Sequence, residues 1–184
     1  VLRQESESSI GLIAADFNLP DVVSGKSVSL QDIKGDKGAL IMFICNHCPF
    51  VKLIEDGLAR LGQDYETSGI GIAAISANDV INYPEDSPDK MAALAQRVGY
   101  LFPYLYDENQ QVTRAYGAVC TPDFFLFDKQ LECVYRGQFD DARPSNNSPV
   151  TGADLRRAME LLIADQPVPE KGQRPSVGCS IKWK

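Results

Sequence analysis

The sequence predicts an α/β architecture, with helices packed against a mixed sheet that ends in an antiparallel hairpin. Two short continuous apolar runs, residues 39–44 and 70–75, have the length and composition of strands buried on both faces. A stripe at helical spacing follows each run: Phe50, Val51, Ile54, Leu58 and Leu61 after the first, then Met91, Leu94, Ala95 and Val98 after the second. Residues 124–127 read as a further strand and residues 132–139 as its hairpin partner. Strands alternating with helices, then adjacent strands, are the pattern of helices layered on a mixed sheet.

In chain order, Ala15-Asp16-Phe17-Asn18-Leu19-Pro20 leads into Ser24-Gly25-Lys26 with Val28 and Leu30 alternating beyond, which suits a small hairpin ahead of the core. The run 39–44, bounded by Gly38, delivers Cys45 to the strand's C-terminal end, and the helical stripe after it stops near Tyr65 before the turn at Ser68-Gly69. Beyond the strand 70–75, a polar loop over residues 78–88 ends in Ser87-Pro88, an N-cap followed by Pro at the first helical position, and Gly99 closes that helix. Residues 103–106 suit a short strand and residues 110–116 a short helix, while the Pro/Gly/Asn/Ser-rich residues 143–152 read as a loop. Leu155, Ala158, Met159, Leu162 and Ile163 form the last helical face, with Thr151 and Asp154 at capping-box spacing before it. The expected organisation is one domain over residues 1–184: an N-terminal extension (1–37), a core (38–165) and a tail (166–184). Trp183, the only tryptophan, is the expected anchor of that tail.

A net charge of −7 and a sequence pI near 4.7 argue against a phosphate-binding surface, so nucleic acid is not an expected partner. No run of about 18 apolar residues could span a bilayer, so no membrane is expected either. The polar start, residues 1–9, lacks the features of a secretory signal. Read as complete, the chain is expected in the cytoplasm; a mature secreted or periplasmic form would read the same. Five cysteines, at 45, 48, 120, 133 and 179, argue by their odd number against a stapled disulfide scaffold and for reactive or metal-binding thiols.

The chemistry concentrates in Cys45-Asn46-His47-Cys48. A cysteine between a buried strand and a helix start meets unpaired N–H groups and the positive end of the helix dipole, which favour the thiolate. That makes Cys45 the expected nucleophile, with Cys48 one helical turn away to resolve a mixed disulfide. His47, the only histidine, lies between the two sulfurs, where an imidazolium would stabilise a thiolate and shift the couple toward oxidant.

These residues resemble the thioredoxin superfamily, and within it the peroxiredoxin-like branch of the alkyl hydroperoxide reductase and thiol-specific antioxidant group. The resemblance covers nearly the whole chain. It rests on Ala15-Asp16-Phe17-x-Leu19-Pro20, on residues 43–52 around the Cys pair, on Asn78-Asp79 with residues 83–88, on Thr121-Pro122-Asp123-Phe124-Phe125, and on Gly178-Cys179-Ser180-Ile181-Lys182-Trp183. It implies a thioredoxin fold with an N-terminal hairpin extension, a strand-helix insertion and a docking C-terminal tail. It further implies that Pro122 is a cis-proline facing the Cys pair and that Thr121 offers backbone groups to a bound substrate chain. Two departures stand out. Ala39 occupies the position six before Cys45 where thioredoxins carry a buried acid, and the Pro-x-x-x-Thr-x-x-Cys pattern of peroxidatic members is missing before the pair.

Cys120 precedes Thr121-Pro122 and is expected near the site, as a small buried hydrophobe or a third thiol; Cys133 is expected in the core. Cys179 would reach the pair if the tail returned over it. Residues 78–79 and 83–86 are candidates for the rim, at the strands' C-terminal ends. The leading reading is a thiol-disulfide oxidoreductase, needing no cofactor, that acts on protein or small-molecule disulfides and exchanges electrons with a dithiol donor or acceptor. Cys45, Cys48 and His47 would carry the chemistry, and Thr121 and Pro122 would position substrate. A thiol peroxidase is the runner-up. A copper-chaperone-like module using Cys45, Cys48 and His47 as ligands is the third reading.

Overall fold

In the computed structural model, residues 2–3 and 8–184 are described. Along the chain lie β1 (Leu2–Arg3), β2 (Asn18–Pro20), β3 (Ser27–Ser29), α1 (Leu30–Ile33), β4 (Gly38–Phe43), α2 (Pro49–Asp64), β5 (Ile70–Ser76), a single 3-10 turn (Pro84–Asp86), α3 (Pro88–Val98), β6 (Tyr104–Tyr106), α4 (Gln111–Tyr116), β7 (Cys120–Thr121), β8 (Asp123–Asp128), β9 (Cys133–Gly137), α5 (Ala153–Ile163) and β10 (Val177–Ser180). Five strands form the central sheet in the order β6-β5-β4-β8-β9. The β6-β5-β4 side is parallel and the β4-β8-β9 side antiparallel, as expected of the thioredoxin fold.

Strand β4 shows why the sheet is covered on both faces, since all six of its residues are buried. Its side chains alternate between two apolar clusters, as the two-residue period of a strand requires. Leu40 and Met42, with Ile44 just beyond, pack with Val51, Ile54 and Leu58 of α2, Met91 of α3, and Leu155 and Met159 of α5. Ala39, Ile41 and Phe43 pack on the opposite face with Phe17, Leu30, Ile33 and Tyr116. The N-terminal extension is therefore a lid on the second face, and its β2-β3 hairpin pairs antiparallel as expected.

Most element readings hold: α2 starts at Pro49 and is capped at Tyr65, α3 starts at Pro88, and Gly99 ends it with a left-handed φ of 84°. Two do not. At the start of α5 no capping box forms, because Gly152 takes the N-cap position with φ 69° and displaces Thr151 from it. The backbone N–H groups of Thr151 and Gly152 donate instead to Asp140 Oδ2, each at 2.7 Å. In the tail, Ile181 rather than Trp183 is the buried anchor. Trp183 stays partly exposed beneath the Arg114 guanidinium, which sits 4.1 Å from its ring centroid. Among the described residues no helix is long and apolar enough to cross a membrane.

The connection from α1 to β4 crosses β5 so closely that a Cβ on Gly71 would lie 1.6 Å from the Ile33 carbonyl oxygen. Both sides of that contact are backbone, so neither can swing away. Gly71→Ala is expected to destabilise the chain by about 3 kcal/mol, as overpacking without relaxation does. A urea midpoint within error of wild type would refute the crossing.

Candidate active site

Strand β4 ends at Phe43, and the Ile44 N–H still donates to the Ile75 carbonyl at 3.0 Å, which carries the chain straight into the Cys pair. Cys48 is the N-cap residue of α2, and its carbonyl accepts from the N–H groups of Val51 (3.0 Å) and Lys52 (2.9 Å). Pro49 fits the first helical position because a donor there has no partner within the helix. Both sulfurs are free thiols with almost no exposure, 1% for Cys45 and 0% for Cys48.

Thr121 meets both. Its hydroxyl lies 3.3 Å from Cys45 Sγ, and its carbonyl accepts from the Cys48 thiol, also at 3.3 Å. The Thr121-Pro122 peptide is cis, as the resemblance implies. The structure therefore brings Cys45, Cys48, Thr121 and Pro122 together, although the chain separates them by more than 70 residues.

The two thiols differ in charge preference, and not in the sense expected from the sequence. The Cys48 pKa is lowered to about 5, first by a hydrogen bond from the Cys45 thiol and then, against the cost of burial, by the Cys179 thiol and the N–H groups of Val51 and Cys179. The Cys45 pKa is raised well above the ordinary range by donating to Cys48, by burial and by the nearby Asp86 carboxylate. The directions of the two shifts thus favour charge on Cys48, at the helix N-cap, over charge on Cys45. With a proton, Cys48 donates to Thr121; without one, it accepts from its two cysteine neighbours and the amides.

Asp86, at the end of the 3-10 turn, has no solvent exposure and holds the intervening dipeptide. Its Oδ1 accepts from the N–H groups of Asn46 (2.7 Å) and His47 (3.2 Å); its Oδ2 pairs with His47 Nδ1 (2.5 Å) and accepts from Asn78 Nδ2 (2.8 Å). The His47 ring stacks on Tyr83, with centroids 5.5 Å apart and planes 13° from parallel. The Asn46 side chain donates to the Glu85 carbonyl and accepts from the Tyr104 hydroxyl, both at 2.9 Å. Ala39 belongs to the opposite apolar cluster, so Asp86 is the carboxylate beside the pair. Cys45, His47 and Asp86 bring one potential ligand atom each within 4.8 Å, a set that contains Asp86 and omits Cys48, unlike the set read from the sequence. Every donor around Asp86 already uses one of its lone pairs, so the cluster is built as a hydrogen-bond network.

Of the remaining thiols, Cys120 is buried, its sulfur 3.8 Å from the Pro122 carbonyl, and burial with the nearby Asp123 pushes its pKa far up. Cys133 is buried in the second cluster, with burial pushing its thiol to about 12. Both have the profile of packing residues. Cys179 is different: β10 pairs antiparallel with β7 and sets Cys179 opposite Thr121. The backbone edge that the resemblance offers to a substrate chain is taken by the chain's own tail. That tail is tied further to the rim, since the Lys182 N–H donates to Asn78 Oδ1 (2.8 Å) and the Asp79 N–H to the Lys182 carbonyl (2.8 Å). Asn78 and residues 83–86 thus do rim the site. The Asp86 clamp and the Thr121 hydroxyl carry no local pattern; only the quoted resemblance segments contain them.

The location of the thiolate has a measurable signature. A Cys48 pKa near 5 in the folded chain, against about 8.5 unfolded, contributes stability that is fully present above about pH 8.5 and is lost as pH falls toward 5. Asp123, buried beside Pro122 and raised to about 7 by that burial despite its ion pair with Arg136, works in the opposite sense and is lost as pH rises through 7. Comparing the reduced chain with Cys48→Ser cancels the Asp123 contribution. The denaturant-midpoint advantage of wild type should shrink from pH 8.5 to pH 5, and a flat difference would put the thiolate elsewhere.

Residues 10–136, most of the chain, match the AhpC/TSA family. The thiol-disulfide oxidoreductase ResA of Halalkalibacterium halodurans is 29% identical over 121 residues, which are 66% of this chain and 64% of that protein; the chain thus spans just under two thirds of this relative. A Mycobacterium tuberculosis protein assigned by name to the peroxiredoxins is 30% identical over 68% of this chain and 73% of its own. An uncharacterised conserved protein from Geobacillus kaustophilus, solved by crystallography, is 52% identical with a TM-score of 0.95, covering 100% of this chain and 96% of that one. The chain belongs to the AhpC/TSA family.

Proposed function

We propose that the chain is a thiol-disulfide oxidoreductase in which Cys45 and Cys48 cycle between dithiol and disulfide. The observation that carries this reading is the convergence of both buried sulfurs on one residue: each lies 3.3 Å from Thr121, Cys45 from its hydroxyl and Cys48 from its carbonyl. The name of the ResA relative is in accord with it.

The charge distribution exchanges the two roles read from the sequence. Cys48, already a thiolate, attacks a sulfur of the incoming disulfide, and one half of the substrate leaves as a thiolate. Cys45 then attacks the Cys48 sulfur of the mixed disulfide, closing Cys45–Cys48 and expelling the second half; the Cys45 proton ends on a released thiolate. Two electrons pass from the pair to the substrate. Asn46 and His47 are held by Asp86, so the loop keeps its shape through both steps. A low-pKa sulfur is also a good leaving group, which makes the disulfide form easier to reduce. We expect the couple to lie above thioredoxin's value of about −270 mV and below about −120 mV.

The trapping of a small disulfide by single-thiol variants tests the assignment. At pH 6, Cys45→Ser should form a stable mixed disulfide at Cys48 about tenfold faster than Cys48→Ser forms one at Cys45, the ionised fraction outweighing the lower intrinsic nucleophilicity of a low-pKa thiolate. Equal rates, or a reversed order, would return the attack to Cys45. Full multiple-turnover reduction of the disulfide by both variants would sink the reading altogether.

A thiol peroxidase is the second reading, favoured by the burial of both sulfurs, which admits a small peroxide more readily than a protein disulfide, and by the relative named as a peroxiredoxin. Here Cys48 would become a sulfenic acid and Cys45 would displace water to form the same disulfide. Peroxide consumption by the reduced chain no faster than by free cysteine removes it.

A further inference from the structure

We propose that Cys179 is a third redox thiol of this centre, taking the disulfide from the buried pair as a Cys48–Cys179 bond on the tail strand; this rests on the reading of Cys45 and Cys48 as a cycling pair.

Three independent features place Cys179 there. The register of β10 against β7 sets Cys179 opposite Thr121, the residue whose hydroxyl and carbonyl hold the two sulfurs of the pair. Gly178 allows that approach: a Cβ at this position would lie 2.0 Å from the Thr121 carbonyl oxygen and 3.1 Å from Pro122 N, so the strand lies directly against the cis peptide. Cys179 packs against the apolar cluster that contains Cys45 and Cys48, and of the pair it is Cys48 whose sulfur lies 3.3 Å from the carbonyl of Thr121, the residue opposite Cys179; the Cys179 thiol and N–H are also among the groups that lower the Cys48 pKa.

The exchange follows from that order. In the oxidised pair, the Cys179 thiolate attacks Cys48 Sγ; the Cys48–Cys179 bond forms, the Cys45–Cys48 bond breaks, and Cys45 leaves with the electron pair and takes up the proton that Cys179 gave up. No net oxidation occurs. Burial and the neighbouring Cys48 thiolate hold the Cys179 thiol at about 11 in the reduced chain, and the second of these causes disappears once Cys48 is in a disulfide. What changes is access. Cys45 and Cys48 are fully buried, whereas Cys179 is only half-buried. An external dithiol can attack the Cys179 sulfur and release Cys48, the better leaving group, passing two electrons to the chain.

The test is disulfide mapping of the full chain. The reduced protein is oxidised with diamide, its free thiols are alkylated, and linked peptides are identified by mass spectrometry without reduction. Wild type should yield both Cys45–Cys48 and Cys48–Cys179, and Cys45→Ser should yield Cys48–Cys179 alone. Gly178→Ala should lose Cys48–Cys179 while keeping Cys45–Cys48, which also reports that the variant is folded. Cys45–Cys48 in wild type with no Cys48–Cys179 in either wild type or Cys45→Ser overturns the third thiol and leaves the pair standing. Absence of both bonds from wild type overturns the pair and the third thiol together.

Discussion

Thr121 is the residue on which the centre depends. Its side chain supplies a hydroxyl to Cys45 and its backbone a carbonyl to Cys48 and a strand edge to Cys179, and the following peptide is cis. Each contact uses a different atom, so the three need not compete. β7 ends at Thr121 and β8 starts at Asp123, and β8 is locked to β4, the strand that delivers Cys45. Sheet register thus sets the distance between Thr121 and the pair: Phe43 pairs with Asp123, one residue beyond Pro122 and two before Cys45. A register slip would carry the Cys pair and Thr121 past one another, and the alternation of buried side chains on both faces of β4 forbids it.

A second constraint is electrostatic. A carboxylate with no solvent contact is costly unless its lone pairs are filled, and Asp86 fills them with two backbone N–H groups, the His47 ring and the Asn78 amide. The consequence for the pair is asymmetric. Asp86 is close enough to Cys45 to oppose its ionisation, whereas Cys48 lies at the helix N-cap among donors. A single acid therefore shapes the loop and directs the charge to the second cysteine. Asn78 extends the same network to the tail, because its oxygen accepts from Lys182 while its nitrogen serves Asp86.

Local features were legible in the sequence, and pairings across the chain were not. The apolar runs, the stripes after them and the capping residues Pro49, Pro88 and Gly99 each signal within a dozen residues, and β4, β5, α2 and α3 appear where they signal. The Cys pair is legible for the same reason. The cis Pro122 is visible only through resemblance, since no property of Thr121-Pro122 alone separates it from an ordinary proline. Asp86 was readable as one of several acids in a polar loop, and nothing in its spacing says that it points inward. Residues 151–154 misled because a capping box is a pattern of three-residue spacing, and here the donors found a carboxylate earlier in the same β9–α5 connection. Helix-dipole reasoning identifies the end of a helix without saying which of two cysteines caps it; the structure gives the cap to Cys48.

Proton and disulfide compete for the same neighbours in this centre. A protonated Cys48 spends its hydrogen on the Thr121 carbonyl, which ties the sulfur to the cis peptide. Once ionised, Cys48 loses that bond and draws on the Cys45 and Cys179 thiols and two amides. The charged form of Cys48 therefore draws on both candidate partners at once. Burial sharpens the effect, because hydrogen bonds to a charge strengthen where water is excluded. A tail that only covered the pair would oppose ionisation and keep the thiol neutral. This one donates to the thiolate instead, and so lowers the cost of placing charge on a buried sulfur.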